Sequence, residues 1–255
     1  MSRSGPRAAL AFAAALGAMA ATYTPAFAFT DAEKTEIGSI VREYLLKNPE
    51  VLQEVITELE KKQAAQETAG RTQALASMKG LIYDSPRGVV VGNPKGDVTL
   101  VEFFDYNCGY CKHALEDLTK LMKADPNLKV VLKEFPVLGK PSVEAAQVAV
   151  AVRMVAPDKY WAFHNALLAT RGPADRAKAL QAAKEVGIDP AAIQKVASSP
   201  ELNATLDESM KIAQALSLNG TPSYVLGDQV VVGAVGYDQL KSAIDAQRKA
   251  QPKAN

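Results

Sequence analysis

The only two cysteines of the chain form a Cys108-Gly109-Tyr110-Cys111 motif, at the point where a strand should hand over to a helix. Upstream, Val98-Thr99-Leu100-Val101-Glu102-Phe103-Phe104 is β-branched, aromatic and mostly apolar, the make-up of a buried strand. Downstream, Leu115, Leu118, Leu121 and Met122 recur at helical spacing. That junction puts Cys108 at a helix N-terminus, where unpaired N–H groups and the positive end of the macrodipole favour a thiolate. A second thiol one turn later can displace whatever the first has captured, so the spacing points to thiol–disulfide exchange. Two other uses of the motif compete with it. A structural disulfide closing so short a loop contributes only about 2 kcal/mol in the chain-entropy model. A zinc site usually wants four ligands, and CxxC brings two.

The first residues bear on where such chemistry would occur. Arg3 and Arg7 precede a run of small and apolar residues, Ala8 to Ala21, and Ala26-Phe27-Ala28 fits the A-x-A cleavage rule. The apolar run is shorter than the roughly 20 residues a membrane span needs, so residues 1–28 read as a signal peptide. Export then implies an oxidising compartment, most simply a bacterial periplasm, in which a dithiol pair can turn over. Without Arg3 and Arg7, 27 of the 29 basic residues face 28 acidic ones, a net charge of about −1. No basic run interleaves with aromatics, so a nucleic-acid partner is not expected. No Ser-His-Asp arrangement, HExxH or glycine-rich phosphate loop is present, which leaves hydrolysis and nucleotide chemistry without footing.

Three regions follow. Residues 29–84 read as an N-terminal helical segment with a linker. Thr30 and Glu33 form a capping-box pattern, and Ile37, Ile40, Val41, Tyr44 and Leu45 fall on one face. Asn48-Pro49 should end that helix and open the next, with Asn48 as N-cap and Pro49 at the first helical position. Leu52, Val55, Ile56 and Leu59 then repeat at i, i+3, i+4 and i+7 before the pattern fades. Two such stripes on short helices predict self-association into a homo-oligomer, although no sustained heptad supports a long coiled coil. Residues 85–250 read as the main domain. Strand signals at 98–104 and 127–135 lead into a helical block at about 142–218. A hairpin follows, Ser223–Leu226 and Gln229–Val232 joined by Gly227-Asp228, and then a last helix with Leu240, Ala243 and Ile244.

The order β-(CxxC)α-β-(helical block)-β-β-α, with Thr221-Pro222 opening the second strand pair, resembles the thioredoxin fold with a helical insertion found in the DsbA family of periplasmic thiol–disulfide oxidoreductases. Val101-Glu102-Phe103-Phe104-Asp105-Tyr106-Asn107-Cys108 is similar to that family's strand-to-motif segment, and Asn219-Gly220-Thr221-Pro222-Ser223 to its cis-proline loop. The fold class implied is α/β. The resemblance implies Cys108 as nucleophile, Cys111 as resolving thiol, and a cis Pro222 that leaves the Thr221 backbone free to pair with a client strand. Glu102, alone on a buried strand, should prefer its neutral form and could pass protons to and from Cys111. Lys133 stands where the family tends to place a lysine, and a Lys133–Glu102 pair is expected. His113 could aid a metal site or face solvent, whereas His164 reads as packed or hydrogen-bonded. No cofactor or metal centre is expected.

Gly109-Tyr110 is the dipeptide of the bacterial disulfide isomerase DsbC, and threonine before the cis-proline also resembles isomerases. Lacking a histidine between the cysteines, Cys108 should be less acidic than in DsbA and the pair less oxidising. With its N-terminal helices, the chain is most similar to the ScsC (suppressor of copper sensitivity) branch. The resemblance therefore implies a periplasmic disulfide isomerase or reductase acting on cysteine-containing secreted clients and serviced by a membrane redox partner. A DsbA-like dithiol oxidase is the alternative. A Cu(I)-binding, copper-protective protein, using two thiolates that suit a soft cation, is another.

Overall fold

A computed structural model describes residues 29–251; the expected signal peptide, 1–28, lies outside the described residues. Among these, no helix is long and apolar enough to cross a membrane. The strands are β1 (Val89–Gly92), β2 (Val98–Phe104), β3 (Leu128–Glu134), β4 (Ser223–Leu226) and β5 (Gln229–Val232). They form one sheet in the order β1-β3-β2-β4-β5. Strands β2 and β3 are parallel, and every other neighbouring pair is antiparallel. The expected strands are all present. Strand β1 is an addition, a Val89-Val90-Val91 run between Gly88 and Asn93-Pro94, too short to stand out by periodicity.

The parallel β2–β3 pair requires a crossover, supplied by α4 (Gly109–Ala124). The helical block follows as α5 (Lys140–Val155), α6 (Tyr160–Leu168), α7 (Arg176–Glu185), α8 (Pro190–Lys195) and α9 (Pro200–Ala215), and α10 (Tyr237–Ala250) closes the fold. Side-chain caps set three of these starts, with Asp175, Asp189 and Ser199 accepting from the Lys178, Ala191 and Glu201 amides.

Because strand side chains alternate, the sheet has two buried faces. On one, Leu100, Phe104, Val130, Leu132 and Tyr224 pack with Cys111, Leu118 and Leu121 of α4 and Leu240 and Ile244 of α10. On the other, Val101, Phe103, Val131 and Val225 pack with Ile212 of α9 and with Leu216 at its C-cap. That second face also takes Ala74 and Leu75 from α2 (Glu50–Ser77) and Ile82 from α3 (Lys79–Tyr83).

The chain divides into two compact units, one ending at Leu59 and one beginning at Glu60. In the first, α1 (Asp31–Lys47) opens with the expected capping box, the Thr30 amide donating to Glu33 Oε2 at 2.7 Å. Asn48 departs from expectation. It caps the C-terminus of α1, its side-chain amide donating to the Tyr44 carbonyl at 2.8 Å, and α2 begins after Pro49. Ile37, Ile40, Val41, Tyr44, Leu52, Val55, Ile56 and Leu59 are exposed.

The expected Lys133–Glu102 pair is corrected by register. Glu102 lies opposite Leu132 on β3, and Phe103 opposite Lys133, so Glu102 and Lys133 point to opposite faces. Lys133 is buried on the α9 side, its Nζ 3.2 Å from Glu208 Oε1. Arg87 bridges Glu208 (3.1 Å) to Glu201 (3.2 Å), and Arg153 also reaches Glu201 at 3.0 Å.

Candidate redox site

The end of β2 and the start of α4 meet at a loop held from both sides. Asp105 accepts from the Asn107 amide at 2.8 Å and, through its other oxygen, from the Val137 and Leu138 amides at 2.9 and 3.0 Å. Asn107 donates to Ser142 Oγ (3.0 Å) and the Ala174 carbonyl (2.9 Å), and accepts from the Ala174 amide at 2.6 Å. These two side chains splint the approach to Cys108 against the loop after β3 and against the helical block. Sequence reasoning assigned them no role, because their partners lie some thirty residues or more away in the chain and leave no local pattern.

Cys108 is the N-cap of α4 in extended conformation, and its carbonyl accepts from the Cys111 and Lys112 amides at 3.1 and 3.2 Å. Both cysteines are unbonded thiols, Cys108 6% and Cys111 1% exposed. The Cys108 thiol is drawn down to about 5. The Cys111 thiol donating to its sulfur contributes most, with further donation from Thr221 and from the Cys111 and Tyr110 amides outweighing burial. Donors at the helix start thus lower this thiol without an intervening histidine, and it remains less acidic than the DsbA thiol at about 3.5, in line with the sequence expectation. Cys111 moves the opposite way, well above the ordinary thiol range, because it donates to Cys108, is buried, and lies near Glu102.

The loop before β4 faces the dithiol. The Thr221–Pro222 peptide is cis, as expected, and Cys108 Sγ lies 3.1 Å from the Thr221 carbonyl oxygen, to which the thiol donates. Ser223 Oγ donates back to the Gly220 carbonyl at 2.6 Å and closes the loop. Beneath, Glu102 is 3% exposed, and burial pushes its carboxyl up to about 8, against an opposing pull from Tyr224. The five residues singled out in the sequence, Glu102, Cys108, Cys111, Thr221 and Pro222, thus meet at one end of the sheet. His113 is exposed on α4. His164 is packed inside, 3.2 Å from the Tyr106 hydroxyl and stacked on Trp161, with its imidazole held neutral by burial down to about 3. Among the described residues, no group of three or more His, Cys, Asp or Glu could hold a metal ion.

Exposed apolar side chains flank the dithiol: Tyr110 within the motif, and Val137 and Leu138 on the loop that Asp105 anchors. A groove of about 580 Å³ runs beside that loop between Phe135, Val137, Met210 and Leu218.

Residues 99–245 match the DSBA-like thioredoxin domain family, and residues 33–66 match the copper resistance protein ScsC N-terminal domain. A thioredoxin-like oxidoreductase from Silicibacter pomeroyi is 44% identical over 68% of this chain and 99% of its own, with a TM-score of 0.65. Proteus mirabilis ScsC, in a transitional conformation, is 30% identical over 88% of this chain and 99% of its own, also with a TM-score of 0.65. Disulfide bond formation protein D of Bacillus subtilis is 23% identical over 172 residues, 64% of this chain and 78% of that protein. With a family match across more than half its length and these structural likenesses, the chain belongs to the DsbA-like thioredoxin family of thiol–disulfide oxidoreductases and is closely related to its ScsC branch.

Proposed function

We propose that the protein is a periplasmic dithiol oxidase that passes its Cys108–Cys111 disulfide to cysteine pairs of secreted client proteins and is reoxidised by a membrane redox partner. The observation that carries this reading is the placement of the Cys108 thiol at the N-cap of α4, where the Cys111 thiol and the Cys111 and Tyr110 amides are directed at its sulfur and favour the thiolate. Whatever stabilises the reduced thiolate makes the disulfide the stronger oxidant.

A client thiolate attacks Cys108 Sγ, and Cys111 leaves, taking a proton from Glu102. The second client thiolate then attacks the client sulfur of the mixed disulfide and releases Cys108 as a thiolate. One disulfide is consumed and one formed. Thr221, beside Cys108, offers backbone groups to a client strand, and the exposed Tyr110, Val137 and Leu138 suit apolar, unfolded chains. Cys108→Ala should abolish exchange, and Cys111→Ala should trap mixed disulfides at Cys108. Alkylation that modified Cys111 before Cys108 at mildly acid pH would overturn these roles.

The second reading, a disulfide isomerase or reductase working as a homo-oligomer, draws on the exposed apolar stripes of α1 and α2 and on the match of residues 33–66 to an ScsC N-terminal domain. The reduction potential of the pair separates the two. A value toward the DsbA figure of about −120 mV supports the oxidase, and one near about −200 mV supports the isomerase.

A further inference from the structure

Strands β2 and β4 pair Glu102 directly with Tyr224. Directly opposed residues share a face, here the one covered by α4 and α10, and Tyr224 is 1% exposed. Its hydroxyl is fully buried and meets no partner at hydrogen-bond geometry. Buried hydroxyls are seldom left so, and each such case asks for an explanation. The polar groups near enough to act on this phenol are Glu102 on β2, and Cys111 and Asp117 on α4. To this face α10 turns the apolar Leu240 and Ile244, and β3 turns Leu132 and, two residues on, Glu134, which accepts from the Tyr160 hydroxyl; the Cys108 thiol also lies near enough to act on Glu102. Lys133 is turned away toward Glu208. The phenol is therefore the donor available to the Glu102 carboxylate from β4, where a lysine on β3 does not reach it.

We propose that Tyr224 is a positioning residue for proton transfer between Glu102 and Cys111, its hydroxyl donating to the Glu102 carboxylate directly or through one water. The proposal rests on the reading of Glu102 as the proton carrier for Cys111. In a mixed disulfide between Cys108 and a small thiol, the Cys111 thiol gives its proton to Glu102. The thiolate so formed attacks Cys108 Sγ, the Cys108–Cys111 bond forms, the mixed disulfide breaks, and the small thiol departs as a thiolate. Electrons balance within the exchange. A donor on the carboxylate favours its charged, proton-accepting form, and removing the donor raises the pH at which that form appears.

The test uses the full chain. Reduced protein is mixed with excess glutathione disulfide, and the concentration-independent phase, closure of the Cys108–Cys111 bond, is followed from mildly acid to mildly alkaline pH by rapid quenching. Closure should accelerate as Glu102 ionises. Tyr224→Phe should move that midpoint up by about one pH unit and slow closure about ten-fold below it, with the rates converging above it. Adding Tyr224→Phe to Glu102→Gln should change nothing further. A midpoint unmoved by Tyr224→Phe, or a shift that persists in Glu102→Gln, overturns the proposal. If Glu102→Gln itself leaves the inflection in place, the proton-carrier reading falls and takes this proposal with it. A loss of the inflection in Glu102→Gln alone leaves that reading standing and refutes only Tyr224. Phenylalanine keeps the ring and removes one buried oxygen. An infrared measurement on the unaltered protein gives an independent check. Below its pKa, the Glu102 carbonyl stretch, identified by its loss in Glu102→Gln, should lie at a hydrogen-bonded frequency, and a free-carboxyl frequency overturns the proposal.

Discussion

A carboxyl group buried on or against a sheet must be either neutral or paired, and the two sides of this sheet show both solutions. Glu208, beside Lys133 and Arg87, is paired. Glu102 and Glu134 are not, and burial pushes both up from 4.5 to about 8, Glu134 in spite of the hydrogen bond it accepts from Tyr160 at 2.6 Å. A group whose folded pKa is raised holds its proton in the folded state after the unfolded chain has lost it. Its stabilising contribution is complete below 4.5 and is lost as pH rises through about 8. Across that window, each carboxyl should lower stability by about 1.4 kcal/mol per pH unit. Urea titrations of the oxidised protein, in which the two thiols do not titrate, should therefore show stability falling toward alkaline pH. Glu102→Gln and Glu134→Gln should each flatten the slope, and unchanged slopes would mean that these carboxyls ionise as in water. Glu102 was legible in the sequence because a charge within an apolar strand pattern stands out. Tyr224 was not, because a tyrosine in a strand is ordinary until its cross-strand partner is known.

At the scale of elements, periodicity located the central strands and the helical block, yet it could not decide which face of β3 meets which helix. That depends on the β2–β3 register, which the chain sets through contacts distant in sequence. Lys133 therefore belongs to a network joining β3, α5, α9 and the Arg87 segment, and it does not touch the redox site. Lys133→Met removes one partner of a buried ion pair and should cost about 3 kcal/mol, while the pH profile of Cys108–Cys111 closure stays where it is. Equilibrium denaturation beside the glutathione assay checks both halves. A shifted profile would show that Lys133 does act on Glu102. Strand β1 went unseen because three valines between turn residues carry too little pattern to separate a strand from a loop.

At the scale of the molecule, the redox domain begins within α2. Leu75 and Ile82 are buried in its second core, and Arg71 Nε donates to the Leu216 carbonyl at 3.1 Å. Removing residues 29–59 should leave a folded domain with intact dithiol chemistry, and, on the second reading, a monomer that loses most isomerase activity while gaining in simple oxidation. Removing residues 29–84 should instead cost about 1.5–3 kcal/mol for each large apolar side chain stripped from the core. Light scattering, a scrambled-substrate refolding assay and denaturation of the two truncated forms test this. A monomeric parent, or a 29–59 truncation that isomerises as well as the parent, would refute the role given to the N-terminal stripes. The outermost strands, β1 and β5, are only four residues each. An unfolded polypeptide will extend any sheet whose margin offers enough unpaired amides and carbonyls, so a protein that handles such polypeptides is itself in danger of templating aggregates. Margins this short give an incoming chain little length to grip, which, under the proposed function, would leave the loop at Thr221, next to the sulfur, as the productive place to add a strand.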